Sequence, residues 1–142
     1  MKTVLGWREW VRLPALGVDR IKAKIDTGAR TSALHASQIE PFERDDRPWV
    51  RFRVHPLQRS RASVVVCEAP VVDRRVVRSS VGHTQVRWVV ATELEIAGRR
   101  RRIELTLTNR DAMGFRLLIG RTALRGAFLV DPGRSFLAQK GK

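Results

Sequence analysis

The feature that most constrains the fold is a repeated alternation of apolar and polar residues in short segments. The clearest cases are residues 20–25, 49–54, 93–96 and 103–108. A period of two places every second side chain on one face, as in a half-buried β-strand. Turn residues, such as Gly98 and the Asp131-Pro132-Gly133 sequence, separate the segments. The pattern predicts an all-β fold, either a barrel or a sandwich, with a short helix within 121–125.

Turn chemistry predicts where the other elements begin and end. One strand is expected over 4–13, where Pro14 ends it, and a surface loop is expected over 40–48, which is rich in proline and aspartate. The remaining predictions are strands at 63–68 and 71–78, an arginine run at 99–102 that lies at or beside a hairpin turn, and closing strands at 128–130 and 136–137. No linker or repeat divides the 142 residues, so one domain over 1–142 is predicted.

The chain is strongly basic, with 28 lysines and arginines against 14 aspartates and glutamates and a net charge of +14. Such an excess favours an anionic partner: a nucleic acid, an acidic lipid or an acidic peptide. A genome-wide preference for arginine would give the same balance without any partner. Hydrophobic residues make up 43%, which excludes a disordered basic tail.

Apolar runs in this sequence are short. None has the length of a signal peptide's core, and none approaches the roughly 20 residues of a membrane helix. A cytoplasmic protein without a membrane association is therefore expected. The chain has a single cysteine, Cys67, which leaves no partner for an intrachain disulfide. Because it follows three valines, a buried core thiol is predicted.

The strand predicted at 20–25 runs directly into Asp26, Thr27, Gly28 and Ala29. Water activation by two carboxylates needs them about 3 Å apart and sharing one proton, since like charges that close cannot both ionise. A tight turn would place Asp26 at a strand end, and Gly28 would allow a second backbone to approach. The Thr27 hydroxyl could hold this turn. Taken alone, the four residues would also form an ordinary Asx turn.

A second segment favours the catalytic interpretation of Asp26 over an ordinary Asx turn. Residues 117–120 (LLIG) predict an apolar strand that ends in glycine, and 121–124 (RTAL) predict the start of a short helix. Together, DTGA and LLIGRTAL resemble the retropepsin family of aspartic peptidases. The resemblance covers about residues 22–126.

The resemblance implies a small closed acid-protease barrel and an assignment of the site. Asp26 is implied to be the catalytic aspartate. The loop around it, which also lines the floor of the site, is implied to contain Thr27, Gly28 and Ala29. The supporting strand is implied to contain Leu118, Ile119 and Gly120. A hairpin flap that closes over substrate is implied at Ser79, Ser80, Val81, Gly82 and His83.

More narrowly, residues 22–36 and 113–124 resemble a bacterial branch of this fold that was labelled as ATP-dependent zinc proteases. That branch often accompanies ATP-grasp glutamate ligases, which implies a functional link to such a ligase. A zinc peptidase needs three protein ligands and an open position. The candidate ligands His35, His55, His83 and Cys67 show no ligand spacing. No metal and no cofactor is therefore predicted, and His35 is expected to be a hydrogen-bonded structural residue.

The chain has one Asp-Thr-Gly, so the second carboxylate has to come from elsewhere. Asp73, Asp111 and Asp131 are not followed by Thr-Gly or Ser-Gly. A symmetric homodimer is therefore predicted, in which each Asp26 faces its copy across a twofold axis. The predicted reaction is peptide-bond hydrolysis. Acidic or glutamate-rich substrates are favoured, since guanidinium groups pair bidentately with carboxylates.

Two other functions remain open from the sequence. One is a non-catalytic basic β-barrel that binds acidic peptides or nucleic acid, with the arginines at 99–102 contacting phosphates. Nucleic acid is the less favoured ligand because no aromatic residue interleaves with that run, as a stacking platform would require. The other is a peptidase fold that binds peptides without cutting them.

Overall fold

A computed structural model describes residues 1–57, 64–78, 82–109 and 114–138. Within them the strands are β1 (Thr3–Gly6), β2 (Arg8–Leu13), β3 (Val18–Asp26), β4 (Ser32–His35), β5 (Ser37–Arg44), β6 (Arg47–Val54), β7 (Val65–Arg78), β8 (Thr84–Ile96), β9 (Arg99–Thr108), β10 (Leu117–Gly120) and β11 (Phe128–Asp131). A 3₁₀ turn covers Pro14–Leu16, and one helical turn, α1, covers Arg121–Leu124. The predicted all-β class with one short helix near the C-terminus is confirmed. None of the described helices is long and apolar enough to cross a membrane.

Six strands close into a barrel in the order β2-β3-β10-β4-β9-β8. The barrel closes where β8 meets β2, and there Arg12 Nη1 and Glu95 Oε2 lie 3.1 Å apart. The alternating segments supply the core, since every second side chain points inward. Fully buried members of this core are Ile21, Ala23, Leu34, Leu94, Leu105 and Ile119. Closure into a barrel pairs the edges that a sandwich would leave open.

Beyond β8 the sheet continues through β7 and β6 to β5, outside the barrel. The loop predicted over 40–48 is wrong, because β5 and β6 form a hairpin there. Its two turn residues, Asp45 and Asp46, have φ angles of 53° and 60°. Aspartate tolerates this left-handed conformation, which a two-residue hairpin turn requires. Pro41 is compatible with a strand because β5 is the edge of the sheet.

Other strand boundaries also differ from the prediction. The strand predicted over 4–13 breaks at Trp7, and β1 pairs in parallel with β11. Gly6 permits this arrangement, since a Cβ there would collide with the Arg134 carbonyl oxygen. The strands predicted at 63–68 and 71–78 form one strand, β7, in which a register shift after Val71 absorbs an extra residue. The predicted strand at 136–137 is absent from the described structure.

The arginine run at 99–102 lies in β9, and the hairpin turn consists of residues 97–98. The prediction that this run lies at or beside a hairpin turn is therefore confirmed. Arg100 forms ion pairs with Glu93, at 3.1 Å, and with Glu95, at 3.6 Å, on β8. Opposite charges on neighbouring strands stabilise the pairing. Arg100 thus stabilises the pairing of β8 with β9.

Glu9 is a fully buried carboxylate in β2 that no sequence pattern singled out. Its oxygens accept hydrogen bonds from the backbone N–H groups of Gly6 (2.6 Å), Leu137 (2.9 Å) and Ala138 (3.0 Å). These bonds fasten the end of β1 and residues 137–138 to the barrel. Three backbone donors satisfy the carboxylate without solvent.

Cys67 is buried in β7, as predicted, with 2% of its surface exposed. The thiol lies 3.3 Å from the carbonyl oxygen of Leu16, to which it donates a hydrogen bond. Burial raises the pKa of this thiol to about 12. The side chain is therefore a protonated part of the core.

Candidate active site

Asp26 is the last residue of β3, at the point where the chain turns. Its Oδ1 accepts a hydrogen bond of 3.0 Å from the N–H of Gly28. Its carbonyl oxygen accepts one of 3.2 Å from the N–H of Ala29. Asp26 is half-buried, whereas Thr27 and Gly28 are exposed. The turn thus holds a carboxylate in a fixed orientation at the end of a strand.

The strand β10 runs parallel to β3, with Gly120 opposite Asp26. A Cβ on Gly120 would lie 2.6 Å from both the carbonyl carbon and oxygen of Thr31. Only glycine therefore lets β10 approach the Asp26 loop this closely. This strand contains the predicted supporting residues Leu118, Ile119 and Gly120.

Ser32 braces the loop from the other side, and sequence reasoning missed it. Its side chain is buried, and its Oγ accepts a hydrogen bond of 3.0 Å from the N–H of Gly120. The hydroxyl thereby ties β4 to β10 where both meet the loop. No strand was predicted over 32–35, so the sequence did not indicate that the Ser32 side chain faces inward.

Two residues of α1, Arg121 and Thr122, also hold the loop. The Arg121 backbone N–H donates to the carbonyl oxygen of Ala29 at 2.8 Å, and its guanidinium donates to that of Gly28 at 3.2 Å. Thr122 donates twice to the Arg30 carbonyl oxygen, from its N–H at 3.2 Å and its hydroxyl at 2.8 Å. The loop carbonyls after Asp26 are therefore fixed by the start of α1.

The predicted flap falls partly outside the described residues. Ser79, Ser80 and Val81 lie there, while Gly82 and His83 are described and exposed. The strands on either side pair as far as Arg78 and Thr84, so a β7–β8 hairpin leads to this position. The flap role of all five residues remains a prediction.

The other aspartates considered as a second catalytic carboxylate make local contacts. Asp73 accepts hydrogen bonds from the N–H of Arg74 and from Nε of Arg75, each at 2.8 Å. These bonds, with that of Arg75 the stronger cause, lower the pKa of Asp73. Asp131 accepts from the N–H of Gly133 at 3.0 Å, which forms an Asx turn. Asp111 lies outside the described residues.

The candidate zinc ligands do not gather in the described part of the chain. There, no group of three or more His, Cys, Asp or Glu side chains could hold a metal ion. His55 Nε2 lies 3.4 Å from the Ser37 hydroxyl. The buried Nδ1 of His35 has no hydrogen-bond partner among the described atoms, so the expected bond is missing at that nitrogen.

Comparison with known proteins gives a family and a fold. The family model described as "Retropepsin-like aspartic endopeptidase RimB" matches residues 4–141. A crystal structure of a Legionella pneumophila protein of unknown function aligns with a TM-score of 0.80 and 27% identity. That alignment covers 97% of this chain and 99% of the Legionella chain.

Curated relatives carry a different name and are much longer. A probable alpha-L-glutamate ligase of Shewanella pealeana is 50% identical over 141 residues, which is 99% of this chain and 31% of the ligase. One of Desulfotalea psychrophila is 47% identical over 131 residues, which is 92% of this chain and 28% of that protein. The chain thus spans about a third of the length of these relatives.

Proposed function

This chain belongs to the RimB-like family of retropepsin-like aspartic endopeptidases, and we propose that it hydrolyses peptide bonds as a homodimer with one Asp26 from each subunit. The observation that carries the proposal is the braced Asp26 loop. Its carboxylate is held by Gly28, its carbonyls are held by α1, and Gly120 closes against it. A positioned carboxylate is what general acid–base catalysis requires.

The proposed chemistry uses the two Asp26 carboxylates in different protonation states. The ionised one takes a proton from a water molecule, which attacks the scissile carbonyl carbon. The protonated one donates a hydrogen bond to the carbonyl oxygen and polarises it. Two equivalent residues share these roles because the twofold axis brings them together.

An apolar surface beside Thr27 supports the proposed dimer. Leu124, Phe128, Leu129 and Val130 line a groove of about 390 Å³ that also touches Thr27, and Arg121 and Arg125 complete its lining with Pro132. Leu129 is 52% exposed there. We assign this surface to the subunit contact, since two Asp26 side chains can meet only if the surface around Thr27 faces the partner.

Acidic substrates form part of the proposal. The net charge of +14 attracts polyanions, and arginine pairs bidentately with carboxylates. Relatives named as probable alpha-L-glutamate ligases contain a region about half identical to this chain. We therefore propose that the peptidase acts on glutamate-rich peptides and is functionally linked to a glutamate ligase.

The test is cleavage of a peptide library that includes glutamate-rich sequences, with Asp26→Asn and a chelator as controls. We expect cleavage that Asp26→Asn lowers by roughly 10²–10⁴-fold and that the chelator leaves unchanged. Cleavage that survives in the variant, or that stops with chelator, would contradict the assignment of Asp26.

Sedimentation tests the dimer separately. Leu129→Glu should shift the protein toward a monomer and reduce cleavage. Val66→Glu introduces the same charge at another exposed valine, 57% exposed on β7, and should do neither. A strict monomer that cleaves peptides would overturn the dimer.

A basic nucleic-acid-binding barrel is the second candidate, and the net charge favours it. The structure adds cation–aromatic pairs away from the arginine run. Arg20 lies 4.0 Å from the ring centre of Trp10, and Arg44 lies 4.4 Å from that of Trp49. These cations already cover ring faces that bases would need for stacking. A steep loss of RNA or DNA binding with added salt, without peptide cleavage, would favour this candidate.

A further inference from the structure

A cavity of about 570 Å³ adjoins the loop that follows Asp26. Three arginines from separate parts of the chain line it: Arg30 from the loop, Arg75 from β7 and Arg102 from β9. Thr31 and Thr122 also face it, and Glu104 is the acidic residue of its lining. The cavity therefore lies between the catalytic loop, the start of α1 and the strand that leads to the predicted flap.

The arginines of this cavity differ in whether their guanidinium groups already form an ion pair. Arg75 donates from Nε to Asp73 at 2.8 Å, so a carboxylate neutralises much of its charge. Arg30 and Arg102 form no ion pair within 4.0 Å with a residue that the structure describes. Both side chains are exposed. Two guanidinium groups are thus available to an anion that enters the cavity.

The backbones that carry these two side chains are fixed. The carbonyl oxygen of Arg30 accepts both hydrogen bonds from Thr122. Arg102 lies in the barrel strand β9, opposite Glu93 of β8. Only side-chain rotamers need to settle when an anion binds, which favours a geometrically specific site.

The cavity is joined to the proposed catalytic carboxylate by a short stretch of chain. Arg30, which lines the cavity, follows Asp26 by four residues. An extended peptide advances about 3.3 Å per residue. Its side chains two to four residues from the scissile bond would therefore lie about 7–13 Å from the reacting carbon, a span that a loop of this length covers.

We propose that this cavity is a carboxylate-binding subsite, in which Arg30 and Arg102 recognise an acidic substrate side chain two to four residues from the scissile bond. The inference rests on the proposed peptidase function and adds the residues that select the substrate. Guanidinium–carboxylate pairs at short range supply this selection, because charges more than about 8 Å away are screened at physiological salt. The net positive charge would raise affinity for any acidic peptide. This subsite would instead favour peptides that carry an acidic side chain at one particular position relative to the scissile bond.

The first experiment compares two peptides that differ by one residue, glutamate or glutamine, at each of those positions in turn. Arg30→Gln and Arg102→Gln are tested beside Arg53→Gln, an exposed arginine of β6 that removes the same charge elsewhere. At one position we expect the wild type to prefer glutamate by KM. Each cavity variant should lose about tenfold in kcat/KM on that peptide, and little on the glutamine peptide. Arg53→Gln should leave the preference intact.

Equal losses in all three variants would overturn the subsite, since they would show a general charge effect. Cleavage that depends on Asp26 but shows no glutamate preference at any position would also overturn it, and would leave the peptidase function standing.

A binding measurement separates the subsite from the catalytic proposal. The 142-residue chain carrying Asp26→Asn is titrated with the same peptides by calorimetry, alone and with Arg30→Gln added. Glutamate-dependent binding that Arg30→Gln weakens, without cleavage by the wild type, would support the subsite and reject the peptidase function. Binding that is indifferent to glutamate or to Arg30 would reject the subsite.

Discussion

Two carboxylates in this chain, Asp26 and Glu9, lie on the neighbouring strands β3 and β2 and have opposite surroundings. Glu9 is fully buried, and its oxygens accept three backbone hydrogen bonds. Asp26 is half-buried at a strand end, and its Oδ1 accepts one described bond, from Gly28. The Glu9 region joins the two ends of the described chain to the barrel, whereas the Asp26 loop presents a carboxylate outward.

The difference shows what distinguishes a structural carboxylate from a candidate catalytic one. A carboxylate whose acceptor sites are filled by backbone donors contributes to stability and has no capacity left for a substrate. A carboxylate that is oriented by one donor and otherwise accessible can still accept a proton. The loop around Asp26 is rigid because its backbone, rather than its carboxylate, is bonded to the rest of the protein.

The largest expected effect follows removal of the buried carboxylate. Glu9→Ala leaves three N–H groups without an acceptor, those of Gly6 and Ala138 buried and that of Leu137 partly buried, at about 1–3 kcal/mol for each buried group. The two buried groups alone give a loss of about 2–6 kcal/mol, which is large against the roughly 5–15 kcal/mol of a typical domain. Urea unfolding should show this loss. Asp26→Asn is the matched control and should lose less than about 1 kcal/mol. Equal destabilisation by Glu9→Ala and Asp26→Asn would contradict the distinction between a structural and a candidate catalytic carboxylate.

The next largest effect is expected at the contact beneath the Asp26 loop. Gly120→Ala places a Cβ against the Thr31 backbone, so β10 or the loop has to move. We expect a loss of about 1–3 kcal/mol in the free energy of unfolding, together with a loss of peptide cleavage. Gly133→Ala is the control, since a Cβ there would meet its nearest atom, Asp131 Oδ1, at 3.6 Å, an ordinary contact. Full activity in Gly120→Ala would show that the loop tolerates displacement.

A smaller effect is expected from the hydroxyl that braces the loop. Ser32→Ala leaves the N–H of Gly120 unpaired, at a loss of about 1–2 kcal/mol. Cleavage should fall because the support of Asp26 loosens, and thermal unfolding measured beside peptide hydrolysis would detect both changes. Ser37→Ala removes a hydroxyl whose contact with His55 is longer, at 3.4 Å, and should have less effect on either.

The smallest effect concerns Cys67, whose side chain is buried like that of Glu9. Its thiol pKa of about 12 makes the thiolate scarce at pH 8, so iodoacetamide should label the native protein far more slowly than the unfolded chain. Because the folded state retains the proton, stability should decrease as pH rises above about 8.5, the value of a free thiol. Rapid labelling of the native protein at pH 8 would show that this region opens readily.

Local patterns in the sequence were sufficient to predict the candidate loop and most of the barrel strands, but not β4. Alternation over 20–25 and 103–108 predicted inward-facing residues that are buried in the structure. The family resemblance of DTGA and LLIGRTAL rested on a pairing that the structure contains, with Gly120 opposite Asp26. Glycine, aspartate and apolar runs carry this information because backbone freedom and side-chain periodicity are local properties.

Local patterns failed where a contact between distant segments decided the outcome. The proline and aspartate residues at 41–48 predicted a loop, yet they lie in a hairpin whose second strand, β6, also pairs with β7. Glu9 resembled any charged residue of an alternating strand until residues 137–138 supplied its donors. The gathering of Arg30, Arg75 and Arg102 around one cavity likewise depends on strand order. Sequence alone thus determined most of the strands and the turn at Asp26. Only tertiary pairing decided which polar groups are buried, braced or available, because long-range hydrogen bonds have no local signature.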